Sequence, residues 1–143
     1  MKTLAFDLHG TLAYVSDNSV LIADIEYLKE LKKTYTFILI TGCTRREAVM
    51  ALEETGLAVL FEEEKIVLCE ESGGEKDTGK PFEEARRRVS GPIVMVGDQP
   101  SDASGSRLAD IPCVLVESKG NLADQQAALL QAIGEAVEIL EAQ

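Results

Sequence analysis

The stretch Leu4-Ala5-Phe6-Asp7-Leu8-His9-Gly10-Thr11-Leu12 decides how the rest of this chain is read. Leu4, Ala5 and Phe6 read as a short buried strand, and Asp7 ends it. A carboxylate taken out of water is costly unless a cation or hydrogen-bond donors compensate it. Asp7 therefore needs partners. The only histidine of the chain, His9, follows two residues later in the same loop.

Working outward, short apolar runs alternate with segments of helical period. Strands are expected at Thr3–Phe6, Thr36–Ile40, Ile93–Val96 and Cys113–Val116, with weaker candidates at Ala58–Phe61 and Lys65–Cys69. Leu21, Ile25 and Leu28 mark the stripe of a first helix that ends before Tyr35. Thr44-Arg45-Arg46-Glu47 is a capping box that opens a second. Pro81 suits the first helical position of a third, running to about Val89. A short helix follows Ser101, and Asn121 caps a long last one with the stripe Leu122, Leu129, Ile133, Val137 and Leu140. Near-continuous apolar strands alternating with helices predict a parallel sheet covered on both faces, a three-layer α/β/α sandwich of Rossmann-like type. The Gly-rich, acidic stretch Glu70–Gly79 reads as a surface excursion.

The chain has 143 residues, 45% apolar and 27% charged, the composition of a single globular domain over 1–143. No apolar run approaches the roughly 20 residues of a membrane-spanning helix, and Met1-Lys2-Thr3 leads straight into a strand without a signal-peptide core. A cytoplasmic location is expected. Cys43, Cys69 and Cys113 are odd in number and lack CxxC spacing, which fits reduced thiols. A net charge of −11 disfavours nucleic acid and anionic membrane surfaces as partners. A small anionic substrate is compatible if a local cation reverses the field in one cleft.

In a parallel sheet the strand C-termini share one edge, where ligands bind at the switch point in strand order. The first strand ends in Asp7, the second in Thr41-Gly42, and the Ile93–Val96 strand in Gly97-Asp98. Lys80 lies at the start of the third helix. Two carboxylates at one point call for a hard cation between them, and Mg²⁺ with oxygen ligands suits. A hydroxyl, backbone N–H groups and a lysine complete a cradle for phosphate oxygens, so phosphoryl transfer is the chemistry this set serves best. The run Gly74–Lys80 has the spacing of a phosphate-binding P-loop. It lacks the required hydroxyl, since Pro81 stands there, and Glu75 and Asp77 repel phosphates.

The order Asp7-Leu8-His9-Gly10-Thr11, Thr41-Gly42, Lys80-Pro81 and Gly97-Asp98-Gln99-Pro100-Ser101-Asp102 resembles the haloacid dehalogenase-like superfamily of phosphohydrolases along essentially the whole chain. The resemblance implies Asp7 as the nucleophile of an aspartyl-phosphate, with Thr41, Gly42 and Lys80 holding the transferring group. It implies Mg²⁺ held by Asp7, the backbone carbonyl of His9 and Asp98, with Asp102 in support, and Thr11 steadying the loop.

Where the family's phosphatases carry a second aspartate as general acid and base, this chain has His9, whose imidazole can serve near neutral pH. Only 29 residues separate Thr11 from Thr41 and 37 separate Gly42 from Lys80, so neither of the family's insertion points holds a cap domain. The expected site is open. It takes a bulky phosphorylated substrate, or a small one walled in by a second subunit of a homo-oligomer. Two other readings compete with a phosphatase. One is a non-catalytic module binding Mg²⁺ and a phosphorylated ligand or partner, and the other a phosphotransferase with a long-lived phosphoenzyme. A response-regulator receiver would want paired acids after its first strand, and Asp7 has no acidic neighbour. Cys43 is expected to be a packed thiol, Arg86-Arg87-Arg88 to face solvent, and Ile139 to lie off the core face, free for a subunit contact.

Overall fold

Side chains of strand β1 (Thr3–Phe6) divide between two cores, as the period-2 pleat requires. Leu4 and Phe6 enter one apolar cluster and Ala5 the other. The computed structural model describes residues 1–14 and 19–143. After β1 come β2 (Ala13–Tyr14) and β3 (Val20–Leu21), a two-residue antiparallel pair. There follow α1 (Ile25–Lys32), β4 (Thr36–Thr41), α2 (Arg45–Thr55), β5 (Ile66–Leu68), the single-turn α3 (Cys69–Ser72), α4 (Lys80–Arg88), β6 (Ile93–Gly97), α5 (Pro100–Leu108), β7 (Cys113–Leu115) and α6 (Leu122–Glu141).

Five strands form one parallel sheet in the order β5-β4-β1-β6-β7. The cluster on one face takes Leu28 of α1, Ala48 and Leu52 of α2, and Leu129, Ile133 and Leu140 of α6. The other face takes Phe82 and Ala85 of α4, with Ala109 and Ile111 just after α5. The expected three-layer α/β sandwich is thus the observed architecture. The chain leaves β1 toward β4 and β5 and returns to the opposite side through β6 and β7. The direction of winding reverses at β1, and the ligand-binding crevice of such sheets lies at the C-terminal end of that strand.

Local signals reproduce well. Thr44 and Glu47 form the capping box of α2 in both directions, at 3.2 and 3.1 Å, and Asn121 caps α6 through Asp124 N–H. Among the described residues the segments between Thr11 and Thr41 and between Gly42 and α4 hold these elements and three short 3₁₀ turns. No described helix is long and apolar enough to cross a membrane.

The stretch Glu70–Gly79 is the surface segment expected, holding α3 and a 3₁₀ turn over Lys76–Thr78, with Lys76 and Gly79 as its buried residues. Four expectations are corrected. Ala58–Phe61 is a 3₁₀ turn over Leu57–Leu60, because its apolar residues bury at an interval of three (Leu57, Leu60) while Val59 stays exposed. Ile139 packs against the larger core cluster, and Leu122 at the start of α6 stays exposed. Arg88 leaves solvent to cap the free edge of β5, donating to the carbonyl of Ile66 at 2.9 Å.

Candidate active site

Asp7 follows β1 directly, and its N–H donates to the carbonyl of Val96 at 3.0 Å, fixing the side chain at the crevice. Asp98 follows the last residue of β6, and Asp102 sits in the first turn of α5. One carboxylate oxygen from each of these three lies within 4.8 Å of the others. Asp7 is almost wholly buried and Asp102 completely so. Thr11, also buried, donates its hydroxyl between Asp7 Oδ2 at 3.4 Å and Asp98 Oδ1 at 3.3 Å. Gly10 makes this approach feasible: its φ is +77°, and a Cβ there would collide with the Asp98 carboxylate.

The compensating cation is Lys76. Its Nζ donates to Asp7 Oδ1 at 2.6 Å and lies 2.7 Å from Asp102 Oδ1, an ion pair without hydrogen-bond alignment. Asp102 Oδ2 is occupied elsewhere, accepting from the N–H of Gln99. The Asp7 carboxyl is raised to about 7, chiefly by burial, with Asp102 adding to the rise and Lys76 opposing it. Burial alone would lower the Lys76 ammonium, but Asp7 and Asp102 outweigh it and the net shift is upward.

Lys80, the lysine expected here, points away. It is exposed, with Nζ 3.3 Å from the carbonyl of Gly73. The cause is Gly79, whose φ of +80° reverses the chain between the two lysines. Lys76, before the reversal, turns inward, and Lys80 opens α4 on the outer surface. A second glycine admits Lys76: a Cβ on Gly105 of α5 would overlap the Lys76 carbonyl. The sequence carried one usable signal for Lys76, a lone cation between Glu75 and Asp77 in a segment read as solvated.

Thr41, fully buried at the end of β4, lines the same open cavity of about 940 Å³ as Asp7, His9, Gly42, Lys76 and Asp98. The hydroxyl of Thr41 is 3.3 Å from Cys43 Sγ. Burial pushes the Cys43 thiol up, as it does Cys69, to about 11, so neither is a ready thiolate. His9 is half-buried, and its Nε2 is covered without a hydrogen-bond partner. Burial lowers its pKa against the pull of Glu47, which keeps the ring neutral.

The family model of the haloacid dehalogenase-like hydrolases matches residues 15–116. The chain belongs to this family. Its fold is shared with three solved haloacid dehalogenase-like structures. The magnesium-bound YfnB of Bacillus subtilis is 18% identical with a TM-score of 0.58, covering 73% of this chain and 54% of YfnB. A superfamily hydrolase of Ehrlichia chaffeensis is 22% identical at 0.58, covering 82% and 62%. A haloacid dehalogenase-like protein from Agrobacterium tumefaciens is 16% identical at 0.62, covering 83% and 60%. The chain thus spans 54–62% of the length of these three relatives, less than two thirds of each. Among curated proteins, none matches the sequence. Because the haloacid dehalogenase-like family match begins after the Asp7 loop, the grouping of Asp7, His9 and Thr11 with Asp98 rests on the geometry above.

Proposed function

We propose that this hydrolase is a magnesium-dependent phosphohydrolase that works through a phosphorylated Asp7. The reading is carried by one observation: Asp7, Asp98 and Asp102 converge on a point that also holds a buried ammonium, at the switch point of a parallel sheet. Three carboxylates against one lysine leave uncompensated negative charge. The donors there are all oxygens, which suits a hard divalent cation. Asp7 through Oδ2, Asp98, and the backbone carbonyl of His9 are the residues that would hold Mg²⁺, with Asp102 behind them. When bound, the ion supplies positive charge that lets an anionic carboxylate meet an anionic phosphoryl group.

The chain's own groups then divide the work. Lys76 orients Asp7 through Oδ1 and neutralises phosphoryl oxygens, and Thr41 with the Gly42 backbone completes their cradle. An Asp7 oxygen forms the bond to phosphorus as the ester P–O bond breaks, and the leaving oxygen takes a proton from solvent water at the open cavity mouth. Water then attacks phosphorus, the Asp7–phosphorus bond breaks, and phosphate and free carboxylate are released. His9, held neutral by burial, suits the second step best, accepting the proton of the attacking water.

Incubation with a generic phosphomonoester in Mg²⁺ or in EDTA tests the reading, together with acid trapping of ³²P on the protein. Metal-dependent phosphate release with label on Asp7, absent in Asp7→Asn, is expected. Binding of phosphate without turnover in Mg²⁺ would refute it in favour of the non-catalytic module.

A further inference from the structure

The cavity beyond the phosphoryl cradle is unusually poor in positive charge. Its exposed lining includes Tyr14, Glu75, Asp77 and Gln99. Lys76 is the one cation among the described lining residues, and it is already engaged by Asp7 and Asp102. Of the two arginines that open α2, Arg46 is exposed and outside the cavity lining, and Arg45 is already paired. Arg45 forms a two-pronged pair with Glu71 at 2.9 and 2.7 Å, and Lys80 turns to the Gly73 carbonyl. Glu75 and Asp77 flank Lys76 in sequence, so the segment that delivers the phosphate-binding ammonium also carries two carboxylates to the mouth.

A substrate's phosphoryl group would be met by Lys76 and the ion that Asp7 and Asp98 would hold, but a second anionic group on its alcohol would face Glu75 and Asp77 with no further cation among the described lining residues. Like-charge juxtaposition of this kind discriminates between ligands by repulsion. An uncharged or cationic alcohol meets no such penalty, and the exposed ring of Tyr14 offers it a flat face that also attracts cations.

Building on the phosphohydrolase reading, we propose that the site selects phosphomonoesters of uncharged or amine-bearing alcohols and rejects those with a second phosphate or carboxylate, with Glu75 and Asp77 as the residues that set this preference. The selection is electrostatic, so it weakens as salt rises.

Three ester classes in Mg²⁺ provide the test: phosphoethanolamine (cationic), glycerol phosphate (uncharged) and phosphoglycerate (anionic). The wild-type kcat/KM should fall in that order. In the double variant E75Q/D77N the ratio of cationic to anionic kcat/KM should drop about tenfold, which is the factor given by about 1.4 kcal/mol of lost repulsion and attraction. Charge reversal in E75K/D77K should invert the order. The wild-type ratio should also shrink between 50 mM and 500 mM salt, a response that a packing role would not produce. Equal rates across the three classes, or a ratio unmoved by both variants, would overturn the proposal while leaving the phosphohydrolase reading intact. Failure to hydrolyse both the generic ester and all three of these would overturn both readings, and hydrolysis of the generic ester with none of the three would overturn this proposal alone.

Discussion

Replacing Lys76 and Lys80 separately by methionine gives opposite outcomes if the buried cluster is as described. Lys76 Nζ stands 2.6 Å from Asp7 and 2.7 Å from Asp102, and its side chain is only 10% exposed. Methionine keeps the volume but leaves two buried carboxylates without their cation. Breaking a buried pair by removing one partner costs about 3–5 kcal/mol. For a chain of this length that corresponds to a loss of roughly 10 °C in Tm. Lys80→Met removes an exposed charge and should stay within about 0.5 kcal/mol. Urea denaturation in EDTA at several pH values measures both. The folded pKa of Asp7, about 7, lies above its ordinary 3.8, so between those values the folded chain binds the extra proton. Stability of the metal-free protein therefore falls as pH rises from about 4 through about 7. Lys76→Met removes the influence that lowers the Asp7 pKa, so the part of its deficit that comes from Asp7 should grow between pH 5.5 and pH 8, on top of the loss at Asp102 that is present at both. Turnover in Mg²⁺ should drop about 10²–10³-fold in Lys76→Met, the range for losing one group that stabilises transition-state charge. Equal effects of the two substitutions, or a Lys76→Met deficit independent of pH, would refute the assignment of Lys76.

Mg²⁺ at about 100 times its Kd should add about 2.7 kcal/mol, or roughly 8 °C in Tm by differential scanning calorimetry, and Asp98→Asn should abolish the shift. Gly105→Ala should destabilise by 3 kcal/mol or more, roughly, because its Cβ meets the Lys76 backbone rather than a movable side-chain tip. Gly134→Ala in α6, where a Cβ meets nothing within 4 Å, should instead stabilise by up to about 1 kcal/mol in the same urea titration. His9→Ala should lower kcat about 10²-fold or more with Mg²⁺ affinity within twofold, read by steady-state kinetics beside calorimetric titration. An unchanged kcat would remove His9 from proton transfer.

What could be read before folding and what could not separate along a physical line. β1, β4 and β6 announce themselves as apolar runs, and Thr44-Arg45-Arg46-Glu47 announces a helix start, because the deciding interactions lie within a few residues. Asp7, Thr41 and Asp98 were placed by the same reasoning plus one topological rule, that parallel strands deliver their C-terminal residues to one edge. The Ala58–Phe61 run misleads because four apolar residues satisfy a strand and a tight turn equally, and Gly56, left-handed at φ 82°, starts the turn. Lys76 and Lys80 differ in a deeper way. Both precede or open the same helix, both are lysines in an acidic context, and Pro81 makes Lys80 the more conspicuous. The choice is made by Gly105, some 30 positions downstream, whose missing side chain lets the Lys76 turn sink against α5 until its ammonium reaches Asp7 and Asp102. The reversal at Gly79 then carries Lys80 outward. A buried charge is thus positioned by the cavity that admits its backbone, and that cavity is a property of two distant segments together. The same coupling brings Glu75 and Asp77 to the mouth, since no inward Lys76 can be had without its two neighbours arriving at the rim.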